Sequence, residues 1–160
     1  MNLKVIIDKL SSYNLYNYLF PGFIFIVTLD ATTGFISSFE YSVEIVIIIY
    51  FIGLVISRIG SLVVETVLTK IKDIGAIDTK DLFSALKESA KLEAIFEAMN
   101  MFRTIAAGSL LLFFATLVDI LVNRPKTGVS LLYLLVELLI FILFLFAFIK
   151  MRQKVIECLK

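Results

Sequence analysis

The sequence predicts an all-α integral membrane bundle of four transmembrane helices, flanked by an N-terminal interfacial helix and joined through a cytoplasmic helical connector. Three observations lead there. Apolar residues make up 60% of the chain and charged residues only 18%, against roughly 45–50% apolar and about 25% charged in an ordinary soluble domain. A soluble domain of 160 residues leaves too much surface in water to hide that excess. The apolar residues are also gathered into long runs, and the basic residues fall into alternate connecting segments.

Taken in order, residues 2–12 set Leu3, Val5, Ile6, Ile7 and Leu10 against Lys4, Asp8 and Lys9, the pattern of a short helix lying in the headgroup layer. Tyr13, Tyr16 and Tyr18 follow, rings suited to the membrane–water boundary. The first span is expected over 15–37, with Pro21-Gly22 near its start, where proline sits in a first turn or kinks the helix. A cleaved signal peptide is the competing interpretation, with Ala31 as a cleavage residue. The stretch before the apolar run is long and carries Asp8, Asn14 and Asn17, which argues for a retained span.

The second span, 42–64, contains the run Ile45 to Ile56, apolar but for Gly53, with Arg58 as its one interior charge. The third, 104–122, has Asp119 near its far end. The fourth, 128–149, holds Leu131 to Ile149 broken only by Glu137 and is closed by Lys150, Arg152 and Lys154. Lys4 and Lys9, five lysines between residues 70 and 91, and the C-terminal cluster all fall on one side of an even number of spans. The loop between the first two spans has no basic residue, and the loop between the third and fourth has only Arg124 and Lys126. The positive-inside rule then places both termini in the cytoplasm, and the chain as one multi-pass domain, 1–160, of a cell inner membrane.

The connector, 65–100, is expected to hold a helix from about Lys80 to Met99 with Asp78 and Thr79 as N-cap candidates. Leu82, Phe83, Leu86, Ala90, Leu92, Ile95, Phe96 and Met99 share a broad face. That face either folds back on the bundle ends or docks a cytoplasmic protein partner.

Within the spans, Gly53, Ser57 and Ser61 recur every four residues, a stripe of small side chains that lets helices approach closely in lipid, within one chain or between copies. Arg58 and Glu65, about two turns apart, share a face of an ideal helix. Arg58 is expected to snorkel with Glu65 or Glu93 nearby, or to form a buried ion pair or a ring of charge around an oligomer axis. Glu137 is too deep to snorkel. It is expected as a neutral, hydrogen-bonded acid or as a partner of Arg58, acting as a polar clamp, a proton-sensing group or an ion-lining group. Arg103, beside Asn100 and Thr104, is expected at the interface, near lipid phosphate. Asp119 is expected at the opposite interface.

Catalytic chemistry has little to work with. Histidine is absent and Cys158 is the single cysteine, so no disulfide, no cysteine-based metal site and no histidine base is expected. Phosphate-loop, GxSxG and HExxH motifs are missing from the sequence. The expectation is a non-enzyme with no metal and no cofactor. A net charge of +1 gives no argument for nucleic acid, which needs a concentrated basic face.

The segments Tyr18-Leu-Phe-Pro-Gly-Phe-Ile-Phe25, Phe51-Ile-Gly-Leu-Val-Ile-Ser-Arg-Ile-Gly-Ser61 and Asn100-Met-Phe-Arg-Thr104 together resemble a group of small, largely uncharacterised bacterial four-span inner-membrane proteins. Some of that group are associated with phage-defence modules. The resemblance implies a membrane subunit in antiviral defence. The residues themselves support a homo-oligomeric scaffold or effector coupled to a cytoplasmic partner. The alternative is a small oligomeric ion channel or transporter with Arg58 and Glu137 lining the pathway. An intramembrane enzyme is a distant third.

Overall fold

A computed structural model describes residues 14–33, 43–70, 77, 79–123 and 129–159. The expected interfacial helix over 2–12 and the Asp78 N-cap lie outside the described residues. All elements among the described residues are helical. We number them α1 to α5. Helix α1 opens with a π-helical turn at Leu15–Leu19 and continues as Phe20–Thr33. Helix α2 is continuous through Val43–Ile59, a π-helical stretch Gly60–Glu65, and Thr66–Thr69. Helix α3 is Thr79–Glu88, α4 is Ala90–Asn123 and α5 is Val129–Cys158.

Four helical stretches, Leu15–Thr32, Val43–Leu68, Ala90–Val122 and Leu131–Cys158, are long and apolar enough to cross a membrane. Their outward faces carry large apolar side chains in numbers that water would not tolerate, among them Ile47, Phe51 and Leu62 on α2 and Leu131, Leu139 and Phe146 on α5. This is the architecture of a multi-pass membrane protein.

The wide turn at the start of α1 has a local cause. Pro21 has no N–H and its ring crowds the carbonyl four residues back, that of Asn17. The helix answers with a bond one residue longer, from the Phe20 N–H to the Leu15 carbonyl, the usual form of a π-bulge. Next to this turn α1 and α2 cross at backbone contact. A Cβ on Gly22 would overlap the Ile49 carbonyl, and a Cβ on Gly53 would overlap the Tyr18 carbonyl. The Tyr18 and Tyr50 rings close the crossing edge to face, 5.7 Å between centroids.

Helix α4 is the hub, touching α1, α2, α3 and α5. Of its most apolar stretch 39% is buried inside the chain, against 11% for α5, which packs chiefly on α4. Small residues explain the difference. Ala106, Ala107, Gly108 and Ser109 are all buried, and Gly108 lies against Ile56 of α2 and Phe25 of α1.

The expected third span, 104–122, is part of a longer helix. Helix α4 has 34 residues, about 51 Å at 1.5 Å per residue, well beyond an apolar layer of about 30 Å. The expected separate helix from Lys80 to Met99 is divided at Ser89. The reason is a cap: Ser89 Oγ accepts the Leu92 N–H at 3.3 Å, three residues into the new helix, as an N-cap side chain does. The connector's apolar face folds inward. Leu82, Leu92 and Met99 are buried in one cluster with Val64 and Leu68 of α2 and Val155 of α5, and Leu86, Ile95 and Phe96 pack against it.

Candidate functional site

Call the end of the bundle where Thr33, Val43, Asn123 and Val129 stand the loop end, and the opposite one the connector end. Counting from the loop-end starts Val43, Asn123 and Val129, three charged residues on three helices come out at one level. Glu65 of α2, Arg103 of α4 and Arg152 of α5 each lie about 30–35 Å away at 1.5 Å per residue. That is where a layer of about 30 Å ends. Side chains of all three converge there.

Glu65 is shared between two guanidinium groups. Arg103 Nη1 donates to Oε2 at 2.6 Å and Arg152 Nη1 donates to Oε1 at 3.0 Å. Ser61 Oγ reaches Oε2 at 3.5 Å, the outer limit of a hydrogen bond. The Arg152 side chain is 2% exposed, Arg103 13% and Glu65 30%. Charge-assisted bonds at these distances belong to the stronger class, and each guanidinium withdrawn from water needs the carboxylate to offset its desolvation. The three helices are thereby fastened to one another where they leave the apolar layer.

The π-helical stretch Gly60–Glu65 builds this site. An i→i−5 turn holds about one residue more than an α-turn, so later positions swing by about 100° relative to earlier ones. Arg58 and Glu65, which share a face of an ideal helix, are therefore separated. Glu65 turns in to Arg103 and Arg152, whereas Arg58 is exposed on the outside of α2 and joins no ion pair among the described residues. The expected pairings of Arg58 with Glu65, Glu93 or Glu137 are thus absent among the described residues, and Glu93 is itself exposed. Gly60, at the start of the wide turn, sits under Arg103. A Cβ there would come within 3.2 Å of the Arg103 carbonyl and of Ala107 Cβ.

Arg103 lies at its expected level but points inward to Glu65 instead of outward to lipid phosphate. Beside it Asn100 is 4% exposed and Thr104 is fully buried, with Thr104 Oγ1 donating to the Asn100 carbonyl at 2.9 Å. Gly53 and Ser57 are buried within the chain, and Ser61 is half-buried beside Glu65. At Gly53 the small-residue stripe serves the intrachain α1–α2 crossing. Asp119 is half-buried on the last turns of α4 at the loop end.

A second polar contact lies deeper. Glu137 of α5 is 2% exposed, and Thr116 Oγ1 of α4 donates to its Oε1 at 2.9 Å. Its other oxygen, Oε2, is buried with no hydrogen-bond partner among the described residues. Arg58 and Glu137 face different surroundings: one the outside of the bundle, the other the α4–α5 seam.

No protein-family model, no curated protein and no solved structure matches this chain.

Sequence reasoning passed over Arg152 and Thr116. Arg152 stands between Lys150 and Lys154 and resembles one more interfacial cation. A signal was present, because Phe148, Arg152 and Val155 follow helical one-face spacing and both apolar members are fully buried. For Thr116, the signal was depth: it and Glu137 stand similar numbers of residues from the loop-end starts of their helices. Replacing Thr116 with valine keeps the shape and removes the only hydrogen bond Glu137 makes among the described residues. The expected loss is about 1–3 kcal/mol, the cost of an unsatisfied buried polar group, read as a lower unfolding midpoint in detergent.

Proposed function

We propose that this protein is a non-enzymatic, homo-oligomeric membrane scaffold or effector that couples a cytoplasmic partner to its membrane helices. The Glu65 hub carries this reading. It ties α2, α4 and α5 together at the connector end, and α4 passes unbroken from that end to the loop end. A displacement of α3, which packs on α4, therefore acts on the hub helix of the whole bundle. Exposed Ser84 and Lys87 on α3 and exposed Lys91 and Glu93 on α4 give the partner a polar surface to hold. The inner membrane of a bacterium, with both termini cytoplasmic and a role in phage defence, is the setting this proposal adopts from the basic-residue pattern and the resemblance.

Oligomerisation is supported by Arg58. A guanidinium on the outside of a helix within the apolar span costs at least about 2.5–3.5 kcal/mol at the centre on insertion scales. Snorkelling toward the connector end or a polar group of a neighbouring copy relieves that cost. Native mass spectrometry of the protein in nanodiscs tests this half of the proposal. A defined oligomer that shifts toward monomer in Arg58→Leu is expected, and a monomer at every protein-to-lipid ratio would overturn it.

Topology has a direct test in Cys158, exposed and the only cysteine. In intact cells a membrane-impermeant maleimide is expected to leave it unlabelled until the inner membrane is opened. Labelling from outside would reverse the orientation.

A further inference from the structure

The geometry points to Glu137 as an intramembrane proton-binding site that exchanges its proton with the loop-end side of the membrane; the inference stands apart from the assembly reading. A carboxylate withdrawn from water is tolerated when a cation or several donors offset its desolvation. Glu137 is 2% exposed, has a single hydroxyl donor in Thr116, and forms no ion pair among the described residues. Helix α5 packs chiefly on α4, and these two helices form the seam that holds Glu137 and Thr116. On α4 the groups near Glu137 along this seam are Thr116 and, one turn toward the loop end, Asp119; on α5 the nearest is Tyr133, also one turn toward the loop end. Neither supplies a positive charge. The group therefore holds a proton. As an acid it donates to Thr116 Oγ1 while the threonine hydroxyl turns to its own helix carbonyl, an exchange of roles that the 2.9 Å separation permits.

The side of exchange follows from what lines the seam. Toward the connector end, residues 138–149 of α5 and 104–115 of α4 contain no ionisable side chain. Toward the loop end, Tyr133 and Asp119 are half-buried and lie on the same helix faces as Glu137 and Thr116. A proton leaving Glu137 meets ionisable side chains within a turn in that direction only, whereas Ser109 and Thr104 on the other side donate their hydroxyls to carbonyls of their own helix.

Infrared spectroscopy of the full chain in sealed vesicles tests this. Cys158 closes α5 at the connector end, so the fraction of molecules with the loop end outward is the fraction whose Cys158 does not react from outside. At neutral pH, where surface carboxyls are ionised, the wild type is expected to show a carboxylic-acid carbonyl band that is lost in Glu137→Gln. If that variant does not fold, the band's shift in wild-type protein grown on carbon-13 glutamate assigns it to a glutamate acid instead. Alkaline buffer outside the vesicles is then expected to remove the share of the band that belongs to loop-end-out molecules. Absence of an acid band from folded wild type would overturn the proposal. So would loss of the share belonging to the oppositely oriented molecules.

Discussion

Replacing Glu65 with alanine is expected to cost about 3 kcal/mol of bundle stability, the lower end of the range for removing one partner of a buried ion pair. The lower end applies because Glu65 itself is 30% exposed. The loss comes from what remains: Arg103 and Arg152, 13% and 2% exposed, would face each other with no carboxylate between them. Glu65→Gln keeps the shape and one acceptor oxygen and should lose somewhat less. Thermal unfolding in a mild detergent, followed by circular dichroism, measures both. A companion variant separates charge from packing. Glu65→Leu combined with Arg103→Met and Arg152→Met removes all three charges and is expected to recover most of the loss, because apolar replacement of a whole buried charge cluster is often neutral or stabilising. If Glu65→Ala unfolds at the wild-type temperature, the shared carboxylate does not hold the three helices.

Gly53→Val is expected to be at least as damaging. A side chain at Gly53 meets the Tyr18 carbonyl, and one at Gly22 meets the Ile49 carbonyl. Backbone cannot turn aside as the tip of a flexible side chain can, so α1 and α2 must move apart. Overpacking in a tight interior costs about 1–3 kcal/mol and occasionally more, and here the upper end or beyond applies. Separation of the helices also strips contacts from the Tyr18–Tyr50 pair. Gly60→Ala is the graded comparison: its Cβ would stand 3.2 Å from its neighbours, close enough to need a small shift, and a loss of at most about 1 kcal/mol is expected. Disulfide trapping between Tyr18→Cys and Tyr50→Cys in a Cys158→Ser background reads the crossing directly. Gly53→Val should lower its yield sharply and Gly60→Ala should not.

Much of the polar site was invisible for a definite reason. The Arg58–Glu65 relation was drawn on an ideal helix, where residues seven apart lie nearly in line. The π-helical stretch from Gly60 breaks that register, and nothing local in Gly-Ser-Leu-Val-Val-Glu announces it: the sequence has no proline there. At Pro21, by contrast, the proline does signal a disturbed turn, and a π-helical turn is found beside it. Glu137 was singled out by its depth, but its contact had to wait for the neighbour, because a threonine in an apolar helix is an ordinary residue until another helix is laid against it. The close-packed run Ala106 to Ser109 was missed for the same reason.

Length and apolarity, read residue by residue, already determined that the described residues are helical and hold four stretches able to cross a membrane, since hydrocarbon leaves a helix as the way for one chain segment to satisfy its own backbone. Tertiary structure alone decided which helix is the hub, where the connector's apolar face is buried, and that Glu65 faces two arginines far from it in sequence. Those outcomes depend on helix rotation and partner choice. A turn of about 100° in rotation, set here by one widened turn, exchanges an inward residue for an outward one without altering the hydropathy that makes the spans legible.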